Sequence, residues 1–268
     1  MIALIDADVL LYRYSWACQD DIPFDVDDPT IVTSASSAKK CIDEHIEMIL
    51  DETDCEDFVC CLSSPVNFRK AIFPQYKSNR TGPKPELLSE LREWLTGRYT
   101  CFCFPGLEAD DLLGIMATED PEGTVVCTID KDLDQIPGQH YNWNTGASYK
   151  LSLAQADRWF YAQALSGDPT DGIPGCPKIG TKRAQDRVDG LIADMKLGFA
   201  KDLGPDFPDR MWQIVVAQYA AKACSPPHAL LMARLVRILR RDEFDKDRGV
   251  KLWTPDGSTE WFDLLPTP

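Results

Sequence analysis

Short apolar runs bounded by polar or turn residues recur four times in the first half of the chain and predict buried β-strands. The runs cover residues 2–6, 58–62, 99–104 and 124–129. Apolar residues at helical spacing between them predict helices over residues 37–50, 85–95 and 108–116. Strands that alternate with helices favour a parallel sheet flanked by helices, which is an α/β fold.

The pattern changes after residue 151, where helical spacing dominates. It predicts helices over residues 153–165, 181–188, 211–222 and 226–241, and a hairpin over residues 252–262 around a Pro-Asp-Gly turn. We therefore predict an α/β core over residues 1–150 and a helical region over residues 151–268. Because ligands of parallel sheets bind at the carboxyl ends of the strands, the residues that follow each strand are the candidates for chemistry.

Composition matches an ordinary globular enzyme, with 44% hydrophobic and 26% charged residues in a chain of 268. No apolar run is long enough to cross a membrane, and no basic segment precedes an apolar leader, so we expect a cytoplasmic protein without a membrane partner. The ten cysteines form no C-x-x-C pair and the three histidines are scattered. A zinc site is therefore not expected.

The formal net charge of −15 argues, taken alone, against a polyanionic partner. The average hides an uneven distribution, because basic residues outnumber acidic ones in residues 68–92, 177–187 and 231–241. The last of these segments is compatible both with a helix that follows DNA and with a helix that is merely solvated. The acidic bulk of the chain therefore coexists with basic patches.

Acidic residues cluster where the pattern places strand ends or helix starts. They are Asp6 and Asp8, then Glu108, Asp110 and Asp111, then Asp130, Asp132 and Asp134, and finally Asp168 and Asp171. A single Asp after a strand is often only a cap or turn residue. Four clusters together demand a cation, since like charges at close range repel, and oxygen ligands select Mg²⁺ or Mn²⁺. Two such ions suit displacement at phosphorus, so we predict hydrolysis of a phosphate ester.

Two further segments have features of nucleic-acid contact. Residues 68–80, FRKAIFPQYKSNR, interleave cations with aromatic rings, as expected where a single strand passes an active site; a basic loop with core aromatics is the alternative. Residues 167–184, GDPTDGIPGCPKIGTKRA, form Gly-rich and Pro-rich turns before a helix start at Gly180, Thr181 and Lys182. The free N–H groups of such a start can hold a phosphate, although an ordinary interhelical loop has the same appearance.

These segments together resemble the flap endonuclease superfamily, specifically the phage and bacterial 5′→3′ exonucleases, over residues 2–184. LIDAD resembles the opening metal strand of that family, and FRKAIFPQYKSNR resembles the arch or gateway segment, here residues 68–92. LEADDLLG resembles its E-A-D-D motif, and TIDKDLDQI its second-metal strand end. GDPTDGIPGCPKIGTKRA resembles its G-D-x-x-D-x-x-P-G followed by a helix-three-turn-helix, here residues 167–188. The resemblance implies a PIN-like parallel-sheet core and a helical region that contains this motif.

The resemblance also implies two metal ions and a DNA-binding surface. The first ion would be held by Asp6, Glu108, Asp110 and Asp111, and the second by Asp130, Asp132, Asp168 and Asp171. Lys77 and Arg80 would act on the scissile phosphate or the threaded strand, beside Arg69 and Tyr76. Gly175, Gly180, Thr181 and Lys182 would grip the duplex, together with a monovalent cation such as K⁺.

Two features of the chain depart from that family. Many members have a metal-linked Asp shortly before the Phe-Arg pair, whereas this chain has LSSPVN at residues 62–67, with Ser63 or Ser64 near that place. We therefore expect first-metal coordination to involve Asp8 or more water. The connection from Arg80 to Pro85 is also short for a closed helical arch.

The activity implied by the resemblance is that of a Mg²⁺-dependent 5′→3′ exonuclease with 5′-flap endonuclease or RNase H-like activity. Its partners would be DNA at 5′ ends, nicks and flaps, and RNA–DNA hybrids, and it would act as a monomer in a bacterial or phage-infected cytoplasm. One alternative is a haloacid dehalogenase-type phosphatase, which fits LIDADVL but leaves residues 68–80 and 108–111 unexplained. The other is a module that binds DNA junctions without cutting them.

Overall fold

A computed structural model describes residues 1–23, 29–194 and 207–264. Its centre is a six-stranded sheet in the order β5-β4-β1-β6-β7-β8, in which only the pairing of β7 with β8 is antiparallel. The strands of this sheet are β1 (Ile2–Asp6), β4 (Asp57–Cys61), β5 (Cys101–Phe102), β6 (Thr124–Cys127), β7 (Gly138–Asn142) and β8 (Ala147–Leu151). A separate two-stranded hairpin consists of β2 (Gln19–Pro23) and β3 (Pro29–Thr33).

The four predicted strands are confirmed, although the third shrinks to two residues, Cys101–Phe102. The sequence pattern missed β7 and β8. Their sequences, GQHYN and ASYKL, lack the apolar run that marks the inner strands. β8 is exposed along most of its length, as is usual for an edge strand.

Nine helices pack around the sheet or follow it in the described part of the chain. They are α1 (Ala7–Ala17), α2 (Ala35–Thr53), α3 (Phe68–Ile72), α4 (Leu88–Arg98), α5 (Ala109–Glu119), α6 (Leu153–Ser166), α7 (Thr181–Asp194), α8 (Phe207–Ala220) and α9 (Pro226–Val236). Helices α1 and α3 were not predicted. The predicted helix over residues 226–241 is too long, since the chain becomes extended at Arg237. There the carbonyl groups of Leu235 and Arg237 accept hydrogen bonds from a buried arginine instead of continuing the helix.

Alternation along the inner strands places apolar side chains on both faces of the sheet. Ile5 and Val125 pack with α1, α2 and α4, whereas Leu4 and Val126 pack with α5. The second face is also covered by an antiparallel set of β9 (Phe244–Asp245), β10 (Gly249–Leu252) and β11 (Glu260–Phe262), which contains the predicted hairpin. In the described part of the chain both faces are covered, so the edge where the strands end is the place expected for a ligand.

A separate apolar core joins α6, α7, α8 and α9, with Phe160 and Met211 among its buried members. The loop between α6 and α7 lies at the carboxyl edge of the sheet, because Asp171 and Gly172 contact the segment that follows α3. The described helices include none with the length and apolarity needed to cross a bilayer. The proposed division of the chain into two domains stays a prediction.

Candidate active site

A cleft of about 400 Å³ opens at the carboxyl edge of the sheet, between the strand ends and the α6–α7 loop. Eight of the nine predicted metal-binding carboxylates line it: Asp6, Asp8, Glu108, Asp110, Asp130, Asp132, Asp168 and Asp171. Lys77, Arg80 and Thr181 lie in the same wall. The topology thus brings residues separated by up to 175 positions in the chain into one cavity.

Asp6 stands at the junction of β1 and α1, where it caps the helix. Its carboxylate accepts hydrogen bonds from the Val9 N–H at 3.3 Å and the Thr128 hydroxyl at 2.9 Å. Burial, together with the charges of Asp8 and Asp130, raises the pKa of Asp6 to about 7. A carboxylate so placed is costly to ionise unless a cation is nearby.

Glu108 is the N-cap residue of α5, and Asp110 lies in the first turn of that helix. Burial disfavours the charged form of Glu108, but Arg69 and Lys77 outweigh that effect and lower its pKa to about 2. Asp110 has the reverse balance, because burial and the charges of Asp6, Glu108 and Asp130 raise its pKa well above the ordinary range. The pKa values of two carboxylates two residues apart are therefore shifted in opposite directions.

Asp130 and Asp132 follow β6 in a short 3₁₀ helix, where Asp130 accepts a hydrogen bond from the Asp132 N–H at 2.9 Å. Burial and the charges of Asp130 and Asp168 raise the pKa of Asp132 to about 7. Asp168 begins the α6–α7 loop and accepts a hydrogen bond from Thr170 N–H at 2.8 Å. Asp130, Asp132 and Asp168 therefore also concentrate negative charge in the cleft.

The donor set of the cleft fits hard divalent cations, since it is made of carboxylate oxygens without thiolate or imidazole. The raised pKa values of Asp6, Asp110 and Asp132 show where compensating charge is missing. Among the described residues, no three acidic, His or Cys side chains already have the geometry of a metal cage. Three carboxylates of the cleft, Asp8, Glu108 and Asp171, form ion pairs with protein cations.

Those cations come mainly from the segment after α3. Lys77 adopts a left-handed backbone conformation, with φ of 56°, and its N–H donates to the Asp171 carbonyl at 2.8 Å. Its ammonium group contacts Glu108 and lies 3.4 Å from Asp171. Arg80 also pairs with Asp171 and keeps half of its side chain exposed. Both cations border the cleft, as the sequence predicts.

Asp111 and Arg69 do not have the roles that the sequence suggested. Asp111 is fully buried outside the cleft and receives both terminal nitrogens of Arg69 at 2.7 Å. Arg69 is 3% exposed and also donates to the carbonyls of Leu235 and Arg237. Asp111 cannot reach the cleft and Arg69 cannot reach DNA, so this pair instead joins α3, α5 and the end of α9.

Tyr76 and Gly175 also require correction as DNA contacts. The Tyr76 ring is buried, and its hydroxyl donates to Glu108 at 2.7 Å and lies 3.0 Å from Asp171, so it has no face free for a base. Gly175 is buried against the preceding turn, where an added Cβ would lie 2.4 Å from the Gly167 nitrogen. Gly180, Thr181 and Lys182 are exposed at the start of α7, as a duplex contact requires.

Ser63 occupies the place near which the family-type Asp is missing. Its N–H donates to Asp8 at 2.9 Å, and its hydroxyl accepts from the Ala109 N–H. Arg92 of α4 binds Asp8 at 3.2 Å and the Ser63 carbonyl at 2.7 Å. Asp8 thus accepts hydrogen bonds from two donors at the wall of the cleft, and its role in place of the absent carboxylate stays a prediction.

The basic segment over residues 231–241 is engaged within the protein. Arg237 is buried and pairs with Glu243, and Arg240 pairs with Asp157. Arg234 and Arg241 pair with Glu260 and Glu119, respectively. These contacts favour a structural role for the segment over a DNA-following helix.

Sequence reasoning missed several residues at the site. Thr128, Arg92, Trp159 and Gln163 line the cleft or bond to its carboxylates. Thr128 had a local signal, because it lies two residues before Asp130 at the end of β6. The other three had none, since their contacts depend on helices that approach the cleft from distant parts of the chain.

In metal-free buffer, we expect the melting temperature to rise as the pH falls from about 8.5 to 6.5. Asp6 and Asp132 have folded-state pKa values of about 7, above the ordinary 3.8, so in this range the folded state binds protons that the unfolded state does not. The gain is about 1 kcal/mol for each of the two groups. Below pH 6.5 the effect is opposed, because burial lowers the pKa of His45 to about 4 and only the unfolded state then takes up that proton.

Calorimetry in EDTA over this pH range measures the effect, and Asp6→Asn provides the comparison. The variant should show a flatter rise than the natural protein. The same slope in both proteins would mean that Asp6 does not titrate near pH 7.

Known proteins resemble this chain in both sequence and fold. A family model described as the 5′-3′ exonuclease, N-terminal resolvase-like domain, matches residues 1–163. The exodeoxyribonuclease of Enterobacteria phage T3 is 26% identical over 285 residues, which cover 95% of this chain and 93% of the relative. The exonuclease of Escherichia phage T7 is 24% identical over 280 residues, with the same coverage of 95% and 93%.

Two solved structures show a similar fold. The flap endonuclease of bacteriophage T5, in a pseudo-enzyme–product complex with DNA and metal ions, has a TM-score of 0.58 at 18% identity over 88% of each chain. The catalytic core of Rad2 with DNA substrate has a TM-score of 0.50 at 13% identity, over 95% of this chain and 84% of that one. The predicted PIN-like 5′-nuclease fold, with a mostly parallel sheet and a helical region, is confirmed.

The relatives do not favour the phosphatase or the module that binds DNA without cutting it. Both phage relatives are named as exonucleases and align along nearly their whole length. The family match covers more than half of the chain and includes β1, α5 and β6, which carry the first three acidic clusters. The chain therefore belongs to the 5′-3′ exonuclease family, as a phage-type 5′ nuclease that hydrolyses phosphodiester bonds.

Proposed function

We propose that the cleft hydrolyses phosphodiester bonds near the 5′ ends of duplex DNA with two divalent ions, Mg²⁺ or Mn²⁺. The proposal depends above all on the meeting of eight carboxylates with Lys77 and Arg80 in one cavity. The structural neighbours from phage T5 that contain metal ions and DNA support it by analogy of fold. The chemistry that two such ions supply when bound is activation of a water molecule and stabilisation of the leaving oxygen.

The eight carboxylates of the cleft suffice for two ions. Asp6, Asp8, Glu108 and Asp110 would hold the first ion, and Asp130, Asp132, Asp168 and Asp171 the second. Compared with the sequence prediction, Asp8 replaces Asp111, because Asp8 lines the cleft and Asp111 is buried away from it. The repulsion that raises the pKa of Asp6, Asp110 and Asp132 would favour the binding of both ions.

Lys77 and Arg80 would contact the scissile phosphate. Both now bond to carboxylates at the rim of the cleft, so a phosphate that enters there would meet two cations already in place. The left-handed conformation of Lys77 aims its side chain across the cleft toward Glu108. Arg80 is more exposed and suits the strand that leads to the scissile bond.

The start of α7 would hold the duplex. Gly180, Thr181 and Lys182 are exposed there, and Thr181 reaches the cleft, so a phosphate bound by the helix N-terminus would lie next to the active site. We also propose that residues 167–188 form a helix-three-turn-helix that binds a K⁺ ion.

Three further parts of the proposal concern the whole protein. We propose that it also acts on RNA–DNA hybrids, that it is a monomer and that it works in the cytoplasm.

Digestion of a 5′-labelled duplex and a matching 5′-flap substrate tests the proposal. We expect short labelled fragments with Mg²⁺ or Mn²⁺ and none in EDTA, and the fragment length separates exonuclease from flap cutting. Intact DNA in both metals, with normal DNA binding, would contradict it. A parallel digestion of an RNA–DNA hybrid measures the RNase H-like activity.

Lys182→Ala is expected to weaken binding of duplex DNA and to reduce the slope of log K against log salt by about 1, because one phosphate contact is lost. Preference among sequences should not change, since a phosphate contact carries no base information. Binding is measured by fluorescence anisotropy at several salt concentrations in Ca²⁺ or EDTA. Lys40→Ala, at an exposed lysine on α2 outside the predicted DNA-binding segments, is the matched control. If Lys182→Ala keeps the salt dependence of the natural protein, the start of α7 does not contact DNA.

A further inference from the structure

Two glutamine side chains, Gln135 and Gln163, connect the main chain at the end of α9 to the cleft. Gln135 is 1% exposed and lies outside the cleft, whereas Gln163 of α6 is 8% exposed and lines it. The Gln135 amide nitrogen donates to the Val236 carbonyl at 2.8 Å and to the side-chain oxygen of Gln163. Gln163 in turn interacts through its side chain with Asp132, and both residues line the cleft. Two hydrogen bonds thus connect the Val236 carbonyl to Gln163, whose side chain meets Asp132 at the cleft.

The main chain determines the direction of these hydrogen bonds. The Val236 carbonyl can only accept and the Ile238 N–H can only donate, so Gln135 must present its NH₂ group to the first and its oxygen to the second. The second N–H of Gln135 then requires an acceptor, which is the oxygen of Gln163. Gln163 is left with its NH₂ group toward Asp132. Neither amide can be flipped without placing two donors or two acceptors against each other.

Gln135 alone would satisfy the buried main-chain groups at Val236 and Ile238. Packing therefore does not explain why a second amide extends these contacts to the cleft. The contact is also unlike those of Glu108 and Asp171, which bond to lysine or arginine. An amide directs a carboxylate without neutralising it, so Asp132 keeps its charge available for a cation.

We propose that Gln163 is a positioning residue for Asp132, and that Gln135 maintains the orientation of Gln163 from outside the cleft. The inference rests on the proposed function, because it takes Asp132 as a metal ligand. It assigns to the segment after α9 an influence on the metal site that involves no contact with metal or DNA. Outer residues of this kind typically change metal affinity about 10- to 100-fold.

Mn²⁺ binding, measured by electron paramagnetic resonance or calorimetry without DNA, tests the inference. The variants are Gln163→Met, which removes the donor at similar size, Gln135→Met, which removes the residue that orients it, and Asp132→Asn. Gln163→Leu is a second donor-free variant should Gln163→Met not fold. Gln213→Met, exposed on α8, is the control for the substitution itself. Thermal melting is recorded for each protein.

We expect both Gln163→Met and Gln135→Met to weaken Mn²⁺ binding about 10-fold or more while the proteins remain folded. A purely structural role predicts lower melting temperatures with unchanged Mn²⁺ affinity, and that result would overturn the inference. If Asp132→Asn weakens Mn²⁺ binding and the Gln163 variants do not, the inference fails and the metal role of Asp132 stands. Natural affinity in Asp132→Asn would instead overturn that role.

Discussion

Asp110→Asn is expected to reduce cleavage of a 5′-labelled duplex by at least about 100-fold while DNA binding is kept. The lower limit follows because a ligand contributes more than the residues that support it, whose loss costs up to about 100-fold. Asp110 lines the cleft, and burial with the charges of Asp6 and Glu108 raises its pKa well above the ordinary range. A neutral amide removes this repulsion. The metal-free variant should therefore melt higher than the natural protein, by roughly 2–4 °C for each 1 kcal/mol gained.

Cleavage, DNA binding in EDTA and melting with and without Mg²⁺ measure the three effects of Asp110→Asn. Mg²⁺ should raise the melting temperature of the natural protein more than that of the variant, since a bound ligand stabilises only the state that binds it. Asp134→Asn is the control, because Asp134 belongs to the acidic cluster with Asp130 and Asp132 but bonds to Tyr149 outside the cleft. Full activity in Asp110→Asn would refute its assignment to the metal site.

Asp111→Asn, one residue further along α5, is expected to have the opposite effect on stability. Asp111 is fully buried and accepts both terminal nitrogens of Arg69, which is itself buried. Removal of its charge leaves the guanidinium group without its main partner. Breaking a buried pair of this kind costs about 3–5 kcal/mol, which corresponds here to a melting temperature lower by roughly 10 °C.

Melting of Asp111→Asn in EDTA measures this loss apart from any effect of metal. Asp43→Asn is the comparison, because Asp43 pairs with Arg98 at the surface, where an ion pair contributes at most about 1 kcal/mol. Cleavage by Asp111→Asn at a temperature where it is folded should remain measurable. If Asp111→Asn melts like the natural protein but does not cut DNA, Asp111 acts at the metal site and its structural role is wrong.

These two variants illustrate the limit of the acidic motif at residues 108–111. The sequence presents Asp110 and Asp111 as equivalent members of one cluster. Successive residues of a helix point about 100° apart, so α5 can direct only one of them into the cleft. The other faces Arg69, which lies 42 positions away in the sequence and becomes a neighbour only after folding.

Local pattern determined much of this protein. The inner strands, most helices and the C-terminal hairpin could be predicted because apolar period and turn chemistry are properties of neighbouring residues. The acidic clusters could be placed at one edge because parallel strands end at the same side of a sheet. Eight of nine candidate ligands accordingly line the cleft. Strands β7 and β8 escaped prediction because their polar sequences depend on the neighbouring strands for pairing.

The tertiary structure alone decided which charged groups face the cleft and which pair inside the protein. Arg69 and Tyr76 match a DNA-binding pattern in sequence, yet folding buries both against carboxylates of α5 and the α6–α7 loop. Gln135 and Gln163 have no signal in the sequence, because their roles arise from hydrogen bonds between segments up to 103 positions apart. The physical reason is the same in each case: a side chain's partner is set by the packing of distant elements, and its neighbours in the sequence do not specify it.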